Sequence, residues 1–181
     1  MDVRDYLGPR SGIAYRHIPA GSPYGVLDFR FAARATENRW NHAGDPTFYL
    51  ACEAAVAIAE FARHIDVDRP PGLAASVSPR QLYRIDVRLV ALLDLRDVRL
   101  LTLLGIADTA GYLLDKRKAR ALATFIRTNT DAQAVLVPSV AFLDDLTRWN
   151  CVLFLEKCPA DPTIWFPRVT PEHRFHLESS S

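Results

Sequence analysis

The chain has 181 residues, 49% of them apolar and 24% charged. That is enough for one well-cored domain and short for two, and the balance excludes a disordered chain or a fibrous repeat. A formal charge of +1 gives no global field for gathering nucleic acid, and no apolar run approaches the about 18 residues of a membrane span.

In chain order, Met1 to Gly12 reads as a loose lead-in without the apolar centre of a signal peptide. Ala14 to Ile18 is β-branched and aromatic and ends at Pro19, which predicts a strand. Ala20 to Asn38 is irregular. Gly44-Asp45-Pro46 predicts a turn into a strand over Thr47 to Cys52, and the alanine-rich run Glu53 to Ile65 predicts a helix with Glu53, Glu60 and His64 on one side. Asp66 to Pro79, with Pro70, Pro71 and Gly72, predicts a surface loop. Gln81 to Val87 alternates as a half-buried strand, and Val90 to Leu95 predicts a second strand. Leu100 to Leu114 carries leucines interrupted by Gly105 and Gly111, a weak helical pattern. Lys116 to Arg127 is helical, with Ala119, Leu122, Ala123 and Ile126 at three- and four-residue steps. Ala134 to Val137 and Asn150 to Glu156 predict buried strands, and His173 to Ser181 a frayed tail. The expected organisation is a lead-in over 1–12, one domain over 13–168 and a tail over 169–181. Strands and helices mix without a βαβ rhythm, so the expected class is α+β: a single compact domain with mixed central sheets and flanking helices.

The stretch Arg39 to Glu60 groups a cation, an aromatic hydroxyl and a carboxylate on a loop, a strand and a helix. Such a unit suits a charged small molecule carrying an aromatic ring. No phosphate-cradling glycine loop, G-x-G-x-x-G, H-E-x-x-H, paired C-x-x-C or G-x-S-x-G is present. A nucleotide would therefore be held by side chains. His173 and His176 have metal-compatible spacing but no third ligand, so no metal is expected. Cys52, Cys151 and Cys158 are odd in number and far apart, which predicts buried free thiols and a reducing, cytoplasmic setting. The basic cluster Asp115 to Lys118 with Arg120 reads as a solvated helix face.

Several separated pieces, taken together, resemble the RES domain family. They are Tyr15-Arg16, Arg39-Trp40-Asn41 with Gly44, Phe48-Tyr49-Leu50-Ala51, the helix bearing Glu60, Pro138-Ser139, and Asn150-Cys-Val-Leu-Phe154. In the order of the family they run from about Ile13 to Glu156. The resemblance implies a fold similar to ADP-ribosyltransferases, a cleft for NAD+ as substrate, and toxicity through NAD+ consumption or ADP-ribosyl transfer. It also implies an Xre-type helix-turn-helix antitoxin as partner; the near-neutral charge and the lack of a long apolar run predict no direct nucleic-acid or membrane contact. Carried over, the site residues are Arg16, Arg39, Tyr49, Glu60 and Ser139. Where the family carries Gly-Gly before Arg-Trp-Asn, this chain has Glu37-Asn38. Asn38 tolerates a left-handed turn, and Glu37 adds negative charge near the expected phosphates.

These residue types suit that chemistry. Cleaving the nicotinamide–ribose bond builds positive charge on the sugar, and a fixed carboxylate, Glu60, stabilises it. Nicotinamide leaves as a neutral ring, so one key carboxylate suffices. The diphosphate suits forked guanidinium donors, Arg39 and Arg16. Tyr49 is placed to contact the nicotinamide-ribose side, and Ser139 to orient an amide or a hydroxyl without acting as nucleophile. Water, inorganic phosphate and a protein side chain all remain open as acceptor of the ADP-ribosyl group.

On composition alone each residue also has a plainer role. Glu60 pairs with His64 one turn on, Arg39 covers Trp40, Tyr49 fills the core, and Ser139 caps the turn after Pro138. Two further alternatives are a nucleic-acid-acting toxin using Arg39, His42 or His64, which the near-neutral charge disfavours, and an inactive binding module that keeps the fold.

Overall fold

The computed structural model describes residues 2–34, 38–68 and 77–177. Among these residues six strands form one mixed sheet: β1 (Gly8–Pro19), β2 (Thr47–Ala51), β3 (Arg80–Asp94), β4 (Ala134–Pro138), β5 (Trp149–Phe154) and β6 (Arg168–Phe175). Four α-helices among the described residues accompany it: α1 (Ala54–Asp68), α2 (Val98–Leu103), α3 (Thr109–Leu114) and α4 (Lys116–Asn129). The strand order is β1-β2-β5-β4-β3-β6, and an additional β1–β3 pairing closes the first five into a ring. The α+β class holds.

Alternation explains why β4 and β5 read as unbroken apolar runs. Val135, Val137, Val152 and Phe154 pack into one cluster, with α2, α3 and α4. Ala134, Leu136, Cys151 and Leu153 face the opposite cluster, with Phe48, Leu50 and Phe166. Both faces are covered, so neither strand has a solvent side to mark its period. Leu136 is 1% exposed, and truncating such a side chain to alanine costs about 2–5 kcal/mol. A smaller cluster of Ala51, Val56, Ala57 and Leu82 seats α1 on the sheet.

The helix α4 matches its predicted apolar stripe: Ala119, Leu122, Ala123 and Ile126 are all buried. Its N-terminus is capped by Asp115, which accepts from the Arg117 and Lys118 amides. Leu100 to Leu114 is two short helices rather than one. Gly105 adopts a positive φ of 71° between them, a conformation that favours glycine and ends α2. Gly44, at φ 96°, does the same service in the predicted turn before β2.

Three expectations are corrected. The lead-in is structured: Val3–Tyr6 is a 3-10 helix capped by Asp2, and β1 begins at Gly8 and pairs with β3 along its length. The two strands predicted over Gln81 to Leu95 are one, β3, because it pairs with β1 on one edge and with β6 and β4 in succession on the other. Finally, His173 lies in β6, whose Arg174 is the register partner of Gln81. The polar composition of β6 reflects an exposed strand, not a frayed tail. Glu37, the Pro70-Pro71-Gly72 stretch and residues 178–181 lie outside the described residues. All three cysteines are free; Cys151 is buried, and Cys52 and Cys158 are half-buried. Burial pushes the Cys151 thiol up to about 12.

Candidate active site

The ends of three paired strands and one helix meet at a single carboxylate. In the sheet, Asn150 of β5 has Ala51 of β2 on one side and Val137 of β4 on the other. Ser139 directly follows β4, and its amide donates to the Arg148 carbonyl at 2.9 Å. The helix α1 lies across these ends and carries Glu60. The Ser139 hydroxyl donates to Oε1 of Glu60 at 2.5 Å, Nδ2 of Asn150 donates to the same oxygen at 2.8 Å, and the Ala141 amide approaches it at 3.4 Å. The Ala141 amide also donates to Ser139 Oγ at 3.2 Å. Ser139 therefore caps its turn and holds Glu60 at once. Glu60 makes no hydrogen bond to His64, so the surface-pair alternative does not describe this helix. Its second oxygen, Oε2, makes no hydrogen bond to the described residues.

Glu60 stands where two recesses join. The larger, about 510 Å³, is lined by Arg16, His17, Arg80, Phe61 and Asp28 among others. The smaller, about 160 Å³, is lined by Arg39, Arg63, His64 and Lys116. Asn38, Tyr49, Glu60, His64 and Asn150 border both. One carboxylate thus sits between two groups of basic side chains, a distribution that suits an elongated anion with a cationic centre.

The predicted site residues divide by role. Arg16, on β1, donates from Nη1 to the Tyr49 carbonyl at 2.9 Å, and its guanidinium lies 4.3 Å from the Phe48 ring centre. Its Nε is buried without a partner. Burial first, and then the nearby Arg80 charge, push its pKa down to about 10. Arg39 lines the smaller recess, but its Nη1 donates to the carbonyls of Leu113 at 2.9 Å and Leu114 at 2.6 Å. It is a cation set on the last carbonyls of α3, where the helix dipole favours positive charge. Tyr49 accepts from the Trp40 amide at 3.3 Å and donates to Oδ1 of Asn41 at 2.7 Å. Burial pushes its phenol well up, so it remains a neutral strut. Trp40 and Asn41 are 4% and 0% exposed and build the loop rather than line it with polar atoms. The Asn38 carbonyl accepts from Nε and Nη2 of Arg120 at 3.0 and 2.7 Å, a clamp that holds the loop. Arg120 accordingly serves the loop instead of a solvated face.

Three site residues escaped the sequence. Asn150 carried a signal: one amide opening an otherwise apolar strand must be satisfied inside the protein. Arg80 and His17 carried none, since only the β1–β3 pairing brings them together. Among the described residues no group of His, Cys, Asp or Glu is arranged to hold a metal, and no helix is long and apolar enough to cross a membrane.

Fold and site together define an α+β domain with a basic, bipartite ligand cleft around one anchored carboxylate. The sequence profile of the RES domain matches residues 13–178, and the chain belongs to the RES domain family. Among solved structures it is similar to the crystal structure of the M. tuberculosis MbcT-MbcA toxin-antitoxin complex, with a TM-score of 0.66, 22% identity, and 92% of this chain and 86% of that chain covered. That likeness shows the shared fold. No functionally curated protein matches the chain.

Proposed function

We propose that this chain is the toxin of a bacterial toxin–antitoxin pair and consumes NAD+ by cleaving its nicotinamide–ribose bond. The observation that carries the reading is the anchoring of Glu60. Three donors hold Oε1 and leave Oε2, at the junction of the two recesses, without a hydrogen bond to the described residues. A carboxylate fixed in this way is preorganised for a positive charge developing beside it. In the step, the bond between C1 of the ribose and the ring nitrogen breaks heterolytically. Both electrons leave with neutral nicotinamide, and the sugar becomes an oxocarbenium-like cation facing Glu60. An acceptor oxygen then forms the new bond to C1. With water as acceptor the products are nicotinamide, ADP-ribose and a proton released to solvent; with phosphate they are nicotinamide and ADP-ribose 1″-phosphate.

Membership of the RES domain family and the fold shared with a chain of a toxin-antitoxin complex support the toxin role. The partner in this reading is an Xre-type helix-turn-helix antitoxin that covers the cleft, and the setting is the cytoplasm. The test is incubation of the purified protein with NAD+, with and without inorganic phosphate, following nicotinamide and the ribosyl product. Nicotinamide release is expected, and the product's mass identifies the acceptor: water, phosphate or the protein itself. No release under either condition overturns the enzymatic claim.

A further inference from the structure

The lining of the larger recess holds two guanidinium groups, Arg16 and Arg80, and neither forms an ion pair with a described residue. Arg16 lies on β1, and Arg80 opens β3 across the β1–β3 pairing, where its register partner is Pro19. Arg80 is fixed by His17: its Nε donates to Nδ1 of that imidazole at 3.1 Å. Its guanidinium also stacks 4.8 Å from the Phe61 ring centre. His17 is wedged between Phe61, with ring centres 4.6 Å apart, and Phe175, 5.4 Å away and edge-on. It accepts from Arg80 only as neutral imidazole. Burial, then the charges of Arg80 and Arg16, hold it in that form.

The arrangement is electrostatically incomplete. Burying a guanidinium beside a second one without a counter-ion is unfavourable. Of the two acids in the lining, Asp28 is already paired with Arg30 at 2.5 Å. Glu60 is held through Oε1 by Ser139, Asn150 and Ala141 and pairs with neither arginine. The Nη atoms of Arg80 make no hydrogen bond to the described residues, and Nε of Arg16 is buried with none. Forked donors, rigidly stacked and unsatisfied, match the oxygens of a phosphate or diphosphate.

We propose that Arg80, oriented by neutral His17, forms with Arg16 the site that binds the phosphate groups of the ligand in the larger recess. Arg39, set on the α3 carbonyls, is not part of this grip. The site stands on its own geometry; only its assignment to the diphosphate of NAD+ rests on the proposed function. The same donors equally suit a free phosphate ion, and the experiment separates the two sources.

Wild type, Arg80→Gln and Arg80→Lys are titrated calorimetrically with ADP-ribose, ADP, inorganic phosphate and adenosine at two salt concentrations, with thermal unfolding as a control for folding. Wild type is expected to bind ADP and ADP-ribose in a salt-sensitive manner. Arg80→Gln weakens both by about tenfold or more, Arg80→Lys retains part of the affinity, and adenosine binding is unchanged. A loss confined to inorganic phosphate assigns the site to a free phosphate instead. Wild type that binds none of the phosphate compounds, or a folded Arg80→Gln that binds all of them as wild type does, overturns the proposal. Nicotinamide release is followed on the same samples. Binding of ADP through Arg80 without release refutes the cleavage reading and leaves this site standing.

Discussion

The hydroxyl of Ser139 lies 2.5 Å from Oε1 of Glu60, although 79 residues separate the two in the chain. The helix α1, seated on the sheet by its apolar cluster, is thus tied to the segment after β4 by a polar contact, reinforced by Ala141 and by Asn150 from the neighbouring strand. In this arrangement Glu60 is held by groups that themselves have fixed partners, as a preorganised site requires.

Asn150 is predicted to act through Glu60 rather than on the ligand. Replacing it with alanine removes the 2.8 Å donor and should lower the rate of nicotinamide release by about tenfold, with little change in ligand affinity. Ser139→Ala should behave alike, and the double variant should lose less than the product of the two effects, since both donate to one oxygen. Steady-state kinetics on the four proteins checks this; fully multiplicative losses indicate separate roles.

Tyr49→Phe leaves Oδ1 of Asn41 without its 2.7 Å donor and the Trp40 amide without its acceptor. Asn41 is fully buried, so the unsatisfied groups should cost about 1–3 kcal/mol of stability. Denaturant unfolding measures the loss. A variant as stable as wild type means that the hydroxyl serves the ligand instead of the loop.

Arg39→Ala removes the cation from the Leu113 and Leu114 carbonyls and should lower stability by about 1 kcal/mol. Any loss of activity should then accompany a lower Tm, and Arg39→Lys should restore part of both. Abolished turnover at an unchanged Tm would instead place Arg39 on the ligand.

His17 sets an acid limit on stability. Its pKa is held down to about 3 in the folded protein, first by burial and then by Arg80 and Arg16, against an ordinary value of 6.5. The unfolded chain therefore takes up a proton at a pH where the folded one does not. The stabilising contribution is complete above pH 6.5 and is lost as pH falls towards 3, at up to about 1.4 kcal/mol per pH unit. Denaturant unfolding between pH 7 and pH 5 should show a slope that His17→Gln flattens; equal slopes in the two proteins contradict the assignment.

The sequence carried the local parts of this structure better than the long-range ones. The α4 stripe, the turn at Gly44 and the β2 strand follow from residues adjacent in the chain, and all were legible there. The single long β3, the ordered N-terminal segment and the pairing of β6 depend on partners far away, and their polar or mixed composition gives no local sign of them. The same division runs through the site. Glu60 and Ser139 came from the family resemblance, and the structure joins them. Arg39 and Tyr49 have structural ties that no spacing reveals, because the carbonyls of α3 and the buried Asn41 amide meet them only after folding. Arg80 is invisible for the same reason: nothing near it in the chain marks the imidazole across the sheet.

The central claim, that an anchored Glu60 stabilises the sugar cation, is tested most directly by comparing nicotinamide release from NAD+ by wild type and Glu60→Gln at matched thermal stability. Loss of the charge with retention of shape should reduce the rate by about 100-fold or more. Equal rates in the two proteins, or no release by wild type, contradict it.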